Sequence, residues 1–263
     1  MRAARMGGAM DVLQLLLLTV LGLLGGVLSG VAGVGGGIVF VPALVYAAGW
    51  NIKEAVAASL VIVIFSSLSG TLRNAWSEDP VSWRSAALLS STVAPASLIG
   101  VFVSSISPAW VVQLVFAGLL LTLAYPTARG RKEERPQDEK QLPLPLVILS
   151  GVGIGALSGL VGVGGGVLMV PLMILGFSLS TKRAVSTSLA VVLITGIVAS
   201  VGYIATGFSD LLSLPPIVVG SIVGAWLGVH LREWLPDRAI RVGFAGFMVV
   251  IALRTLSDAT GIL

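Results

Sequence analysis

A cluster of glycines occurs twice in the chain, at matching places in two copies of a longer motif. The first copy, residues 26–42, reads GVLSGVAGVGGGIVFVP, and the second, residues 155–171, reads GALSGLVGVGGGVLMVP. Glycine permits backbone conformations that turn successive amide N–H groups to one side, and such a surface suits an anion. An apolar segment follows each cluster, so a helix N-terminus adds partial positive charge and unpaired donors. The pattern predicts two backbone sites for one small anion.

The similarity between the two halves extends beyond the glycines. Residues of the second motif lie 129 positions after their counterparts, and Ser59 matches Ser188 at the same offset. Further along, Gly100 matches Gly228 at an offset of 128. A nearly constant offset over about ninety residues indicates a duplication. The two halves are therefore expected to share one fold.

The composition is that of a membrane protein. The chain is 56% hydrophobic and only 11% charged, with a mean hydropathy of +1.02, whereas soluble domains carry about 25% charged residues. The net charge of +4 is explained by basic loops at a membrane better than by nucleic-acid binding. Cysteine is absent, which excludes disulfides, cysteine-ligated metals and thiol catalysis.

Ten apolar segments are visible, five in each half. They cover residues 11–32, 38–49, 56–76, 84–106 and 110–128, and then 144–163, 167–177, 184–207, 211–231 and 239–257. The segments after the glycines are too short to span, because about twelve helical residues rise about 18 Å against a hydrocarbon core of about 30 Å. We expect an all-α polytopic membrane protein of two homologous, inverted repeats. Each repeat would have a glycine-broken or re-entrant helix hairpin followed by three transmembrane helices.

Loop charges predict the topology and the domain boundaries. The arrangement with a hairpin and three crossings per repeat places twelve of the sixteen basic residues on one side, and the positive-inside rule makes that side cytoplasmic. The twelve are Arg73, Arg84, Arg129, Arg131, Lys132, Arg135, Lys140, Lys182, Arg183, Arg232, Arg238 and Arg241. The first transmembrane repeat is then 1–128, the charged cytoplasmic linker 129–143, and the second repeat 144–263.

The candidate binding residues combine the glycines with nearby hydroxyls and prolines. They are Ser29, Gly33, Gly35, Gly36, Gly37, Pro42, Ser59, Ser158, Gly162, Gly164, Gly165, Gly166, Pro171, Thr187 and Ser188. A hydroxyl can donate to an oxyanion, but it can equally bond a carbonyl of its own helix. Glycine can also serve close helix packing, and the four-residue spacing of Gly22, Gly26 and Gly30 indicates packing rather than binding.

The acidic residues all lie in loops or near segment ends. An intramembrane carboxylate is the usual element of a cation site or proton relay, so cation transport is disfavoured. No metal-ligand cluster, nucleophile–base pair or nucleotide-binding motif stands out. We therefore expect no metal, no cofactor, no enzymatic activity and no nucleic-acid partner.

The paired G-x-x-G-x-G-G-G-x-x-x-x-P elements, residues 30–42 and 159–171, resemble those of the sulfite exporter TauE/SafE family of membrane permeases. The resemblance extends over the whole chain, including its length, its two repeats and its cationic central loop. It implies a secondary carrier of small anions such as sulfite or organosulfonates, a multi-pass protein of the cell inner membrane whose partners are the substrate and the lipid bilayer. A passive anion channel and a non-transporting membrane assembly subunit stay open as alternative functions. A homodimer is a possible assembly.

The topology can be tested directly, because the native chain has no cysteine. A single cysteine at Gln137 should resist a membrane-impermeant thiol reagent in intact cells and react after permeabilisation. Labelling of intact cells would place the central loop outside and reverse the topology.

Overall fold

The computed structural model describes residues 12–33, 35–77, 79–129, 143–208, 214–231 and 237–260. Within these residues every regular element is a helix, as the apolar segments predict. The first half contains α1 (Val12–Ala32), α2 (Gly37–Pro42), α3 (Ile52–Ala75), α4 (Trp83–Ile106) and α5 (Ala109–Arg129). The second half contains α6 (Leu144–Val161), α7 (Gly166–Phe177), α8 (Thr181–Ala205), α9 (Pro215–Leu231) and α10 (Asp237–Thr260).

The ends of several helices follow from local chemistry. The Asn51 side chain caps α3 by accepting a hydrogen bond from the Lys53 N–H at 3.0 Å, and Ser180 caps α8 through the Arg183 N–H at 3.3 Å. Helix α2 continues past Pro42 as a π-helix, Ala43–Ala47. Proline supplies no backbone donor, and a wider turn follows it here.

The length and surface of the helices fit a bilayer. Among the described residues, five helical stretches are long and apolar enough to cross it: Val12–Val31, Ile52–Ala75, Trp83–Ile106, Leu144–Val161 and Lys182–Ala205. Shorter apolar stretches lie at Gly37–Ala47, Ala109–Tyr125 and Pro215–Leu231. Large apolar side chains such as Phe102 and Leu149 are more than 60% exposed. Such a surface belongs in lipid rather than water.

The helices of one half pack mainly against helices of the other, and they do so in a symmetrical pattern. Helix α1 packs on α9, and the corresponding α6 packs on α4. Helix α3 packs on α9, and α8 packs on α4. The equivalent helices α3 and α8 contact each other, as do α5 and α10. If each helix is replaced by its counterpart in the other half, the same set of helix pairs results. The two halves therefore repeat each other in helix packing as well as in sequence.

The direction of the packed helices can be read from their glycines. A methyl group on Gly70 of α3 would lie 2.9 Å from Leu189 of α8, and one on Gly196 of α8 would lie 3.2 Å from Ile64 of α3. The early part of α8 therefore faces the late part of α3, and these equivalent helices run antiparallel.

Close approach of backbones holds the α1–α9 and α4–α6 pairs together. Methyl groups added to Gly22, Gly26 and Gly30 would overlap backbone atoms of α9. The sequence-based interpretation of this line as packing glycines is therefore confirmed. On the other pair, Gly155 of α6 lies directly against the Val93 carbonyl of α4. Small residues at such places let two helices come close enough for extensive van der Waals contact.

The predicted domain division is compatible with the helix ends. Helix α5 ends at Arg129 and α6 begins at Leu144. Most of the predicted linker, residues 130–142, lies outside the described residues. The boundaries 1–128, 129–143 and 144–263 therefore stay a proposal.

Two glycines of α6 provide a matched test of the packing. Gly155→Ala should destabilise the protein by about 1–3 kcal/mol, because overpacking forces α4 and α6 apart. Gly153 has no atom within 4 Å of the place where a Cβ would be added, so Gly153→Ala should be neutral or slightly stabilising. Thermal unfolding in detergent measures both. Equal melting temperatures for the two variants would contradict the proposed role of the close contact.

Candidate functional site

The two glycine breaks have the same backbone conformation. Left-handed φ angles occur at three positions in each: 69°, 78° and 84° at Gly33, Gly35 and Gly36, and 77°, 76° and 76° at Gly162, Gly164 and Gly165. Residues with a Cβ rarely adopt these angles. The identical spacing of the glycines in the two halves therefore reflects a required backbone path, which ends α1 or α6 and leads into α2 or α7.

The breaks meet at the interface between the halves. A methyl on Gly35 would lie 2.5 Å from a methyl of Val192 and 3.2 Å from one of Val63. A methyl on Gly164 would lie 2.8 Å and 3.2 Å from methyls of the same two valines. Val63 and Val192 are counterparts, 129 positions apart. Gly37 also lies against the Gly162 carbonyl and Val163. The structure thus brings together glycines that are far apart in the chain.

A reciprocal pair of hydrogen bonds joins the two halves at the breaks. The Ser59 hydroxyl lies 2.8 Å from the carbonyl oxygen of Gly162, and the Ser188 hydroxyl lies 2.6 Å from that of Gly33. Each hydroxyl also lies within 2.8 Å of a carbonyl of its own helix. Both serines are fully buried. We refer to the Ser59–Gly162 and Ser188–Gly33 contacts as the cross-repeat bonds.

A third serine binds the first break only. The Ser66 hydroxyl lies 3.0 Å from the Gly35 carbonyl oxygen. Its counterpart in the second half, Thr195, donates to Val191 of its own helix at 2.9 Å. Sequence reasoning missed Ser66 and its neighbour Ser67. Their signal in the sequence is a pair of adjacent hydroxyls within the apolar segment 56–76. A comparison of the two halves does not reveal this pair, because the second half has Thr195 and Gly196 at the corresponding positions.

Three buried hydroxyls near the breaks have no hydrogen-bond partner within the described part of the chain. They are those of Ser29, Ser67 and Ser158. The Ser158 Cβ lies 3.4 Å from the place where a methyl on Gly165 would sit, and the Ser67 hydroxyl lies 3.3 Å from the equivalent place on Gly35. An unsatisfied buried hydroxyl costs free energy. These groups are therefore available donors beside both breaks.

The helix N-termini after the breaks are oriented by the same glycines. The N–H groups of Val39 and Phe40 bond the Gly36 carbonyl at 2.8 and 2.9 Å. The N–H groups of Leu168 and Met169 bond the Gly165 carbonyl, each at 3.1 Å. The earliest amides of an α-helix have no partner inside the helix, so each break carries partial positive charge.

Thr187 and the two prolines also belong to the predicted site. The Thr187 hydroxyl accepts a hydrogen bond from the Ser82 N–H at 3.0 Å and donates to the Arg183 carbonyl at 2.7 Å, so its recorded contacts anchor the segment before α4. Pro42 is buried at the end of α2, where the π-helix begins. Pro171 occupies the matching position inside α7.

The described residues contain no group of three or more His, Cys, Asp or Glu side chains that could hold a metal ion. The polar groups at the breaks are hydroxyls, amide N–H groups and carbonyls. Chemically, such a set can bind and release a solute by hydrogen bonding.

Helices with a lipid-compatible surface and two backbone breaks at the interface between repeats are features of membrane transport proteins. The chain belongs to the sulfite exporter TauE/SafE family, whose family model matches residues 18–255. This match confirms the family resemblance seen in the glycine motif. Members of the family are membrane transporters.

Individual relatives cover nearly the whole chain. A probable membrane transporter protein of Bacillus subtilis, YunE, is 29% identical over 87% of this chain and 92% of its own length. A probable membrane transporter protein of Methanocaldococcus jannaschii is 25% identical over 92% of this chain and 95% of its own length. One from Xylella fastidiosa is 30% identical over 80% of this chain and 79% of its own length. No solved structure matches the chain significantly.

The cross-repeat bonds predict a symmetrical effect on stability. Ser59→Ala and Ser188→Ala should each lower the free energy of unfolding by about 1–3 kcal/mol, because each leaves a buried glycine carbonyl without its partner from the other repeat. Ser97→Ala is the control, since that buried hydroxyl bonds only its own helix, at Ala94. Melting temperatures of purified variants measure the effect. Losses no larger than that of Ser97→Ala would show that the cross-repeat bonds contribute nothing of their own.

Proposed function

We propose that this protein is a secondary carrier of small anions, in particular sulfur oxyanions such as sulfite or organosulfonates, in the cell inner membrane. The substrate would bind between the two glycine breaks. The observation that carries this proposal is that two breaks of similar conformation meet beside buried hydroxyls, those of Ser29, Ser67 and Ser158, that have no hydrogen-bond partner among the described residues. The name of the family, sulfite exporter, supports the substrate class.

The charge of the substrate follows from the groups around the breaks. Hydroxyls, amide N–H groups and helix N-termini all favour negative charge. A cation would need carboxylates, and the acidic residues of the described helices lie near helix ends, as Glu54 does in the first turn of α3. Charge-assisted hydrogen bonds of about 1.5–3 kcal/mol each offset the dehydration of a compact oxyanion.

Inverted repeats would give such a carrier its mechanism. The antiparallel contact of the equivalent helices α3 and α8 and the exchange symmetry of the helix pairs support this arrangement. Two inverted repeats can adopt each other's conformation in turn, which opens a fixed central site alternately to either side of the membrane. The cross-repeat bonds lie where the two repeats would move against each other.

The test is flux of radiolabelled sulfite into proteoliposomes that contain the purified protein. We expect saturable uptake, counterflow when unlabelled sulfite is trapped inside, and competition by sulfonates but not by amines or metal cations. Flux without saturation or counterflow would indicate a channel. The absence of anion flux and of any thermal stabilisation by an anion panel would contradict the proposal and favour an assembly subunit.

Substitutions in the breaks should abolish flux without removing the protein from the membrane. Gly36→Val and Gly165→Val should each lower transport by at least about tenfold, because a side chain at these φ angles costs about 1–3 kcal/mol of backbone strain and covers the amides. A methyl on Gly36 would already lie 2.5 Å from the Phe40 ring. Transport rates are normalised to the amount of monodisperse protein recovered.

Gly49→Val provides the matched control for strain. Gly49 also has a left-handed φ, 72°, but nothing lies within 4 Å of the place where a Cβ would be added. Gly49→Val therefore introduces the same kind of backbone strain at a position outside the breaks. It should keep most of the transport rate of the unaltered protein. Normal flux in Gly36→Val and Gly165→Val would show that the glycine clusters serve helix packing and not substrate binding.

A further inference from the structure

A groove on the outer surface, between α3 and α9, is not explained by transport. Its volume is about 390 Å³. Its walls are mainly apolar and aromatic, formed by Phe65, Leu68, Leu72, Trp76, Ile222 and Trp226. The hydroxyl of Ser69 donates to the Ile222 carbonyl at 2.9 Å. This bond joins the two helices and holds the groove in shape.

The groove has the length of one bilayer leaflet. From Phe65 to Trp76 helix α3 advances by about 16 Å at about 1.5 Å per residue, while half of the hydrocarbon core is about 15 Å. Phe65 lies in the middle part of α3, and Trp76 directly follows its last residue. An acyl chain lying along this groove would therefore reach from the membrane interface to the bilayer centre.

The interfacial end of the groove is the polar one. Arg73 lines it in the last turn of α3. Trp76 is 79% exposed and Trp226 is 53% exposed. Tryptophan is enriched at the level of lipid headgroups. By the loop charges, this end faces the cytoplasmic leaflet, which carries the anionic lipids.

The second half lacks the same features, so they are not a requirement of the fold. The counterparts of Arg73 and Trp76 are Gly202 and Ala205, and the counterpart of Trp226 is Leu98. There, a methyl on Gly202 would lie 2.9 Å from the Leu98 side chain, so Leu98 packs against α8 at the position that corresponds to Arg73.

We propose that this groove is a binding site for an anionic phospholipid. One acyl chain lies along Leu68 and Leu72, and the headgroup phosphate bonds the Arg73 guanidinium between the two tryptophans. The site is separate from the glycine breaks, and the proposal holds whatever solute the protein carries.

The experiment measures lipid binding to the purified, delipidated protein by native mass spectrometry and by melting temperature. Dioleoylphosphatidylglycerol and dioleoylphosphatidylcholine have the same chains and differ in charge. We expect a preference for phosphatidylglycerol that falls roughly fivefold in Arg73→Gln, which is the scale of one cation at an anionic lipid surface. Arg84→Gln is the control, because Arg84 lies on the same predicted side but does not line the groove.

A second variant tests the acyl part of the site. Leu72→Trp fills the groove and should weaken binding of both lipids, whereas Leu149→Trp, on the exposed surface of α6, should weaken neither. Inorganic phosphate at the same concentration should not stabilise the protein, since it lacks the chain.

Three outcomes would overturn the proposal. Equal binding of the two lipids would contradict the proposed preference for an anionic headgroup. An unchanged lipid preference in Arg73→Gln would place the anionic site elsewhere. A disulfide-crosslinked dimer through cysteines introduced at Trp226 would show that a second copy of the chain covers the groove.

Discussion

The need to satisfy buried backbone polar groups governs this structure. Helices α1 and α6 end at Ala32 and Val161, and the glycines that follow, Gly33 and Gly162, are buried, so water does not satisfy their carbonyls. Serine hydroxyls from the opposite half bond these carbonyls. The Gly33 carbonyl is bonded by Ser188 and the Gly162 carbonyl by Ser59. Each half therefore completes the break of the other, and neither half would be satisfied if it folded alone.

The glycines of the helix interfaces and those of the breaks have different roles. Some let helices approach each other, as Gly26 and Gly155 do against α9 and α4. Others, such as Gly36 and Gly165, take left-handed conformations that no residue with a Cβ adopts easily. The first group brings the halves together, and the second group uses that proximity to place two short helices at the shared interface.

The departures from symmetry show where the halves have diverged. On α3, Ser66 and Ser67 stand opposite the first break, while α8 has Thr195 and Gly196 at the matching positions. The space beside the first break is filled by the Phe40 ring, and beside the second by Ile154 and Met169. If a substrate binds between the breaks, it meets a more polar wall on the α3 side. Under the proposed function, an organosulfonate, which carries its charge at one end, would suit such an asymmetric site.

The sequence by itself determined the membrane class, the duplication, the ten helical segments and the positions of both breaks. These properties depend on composition, on periodic apolar runs and on glycine, all of which act locally along the chain. Tertiary structure decided which residues meet. It paired Ser59 with Gly162 and Ser188 with Gly33, gave Thr187 a partner in Ser82, and brought Ser66 to the first break. A hydroxyl in a membrane helix has the same local signature whether it bonds its own helix or a distant carbonyl, so only the packing of α3 and α8 against the glycine breaks distinguishes the two.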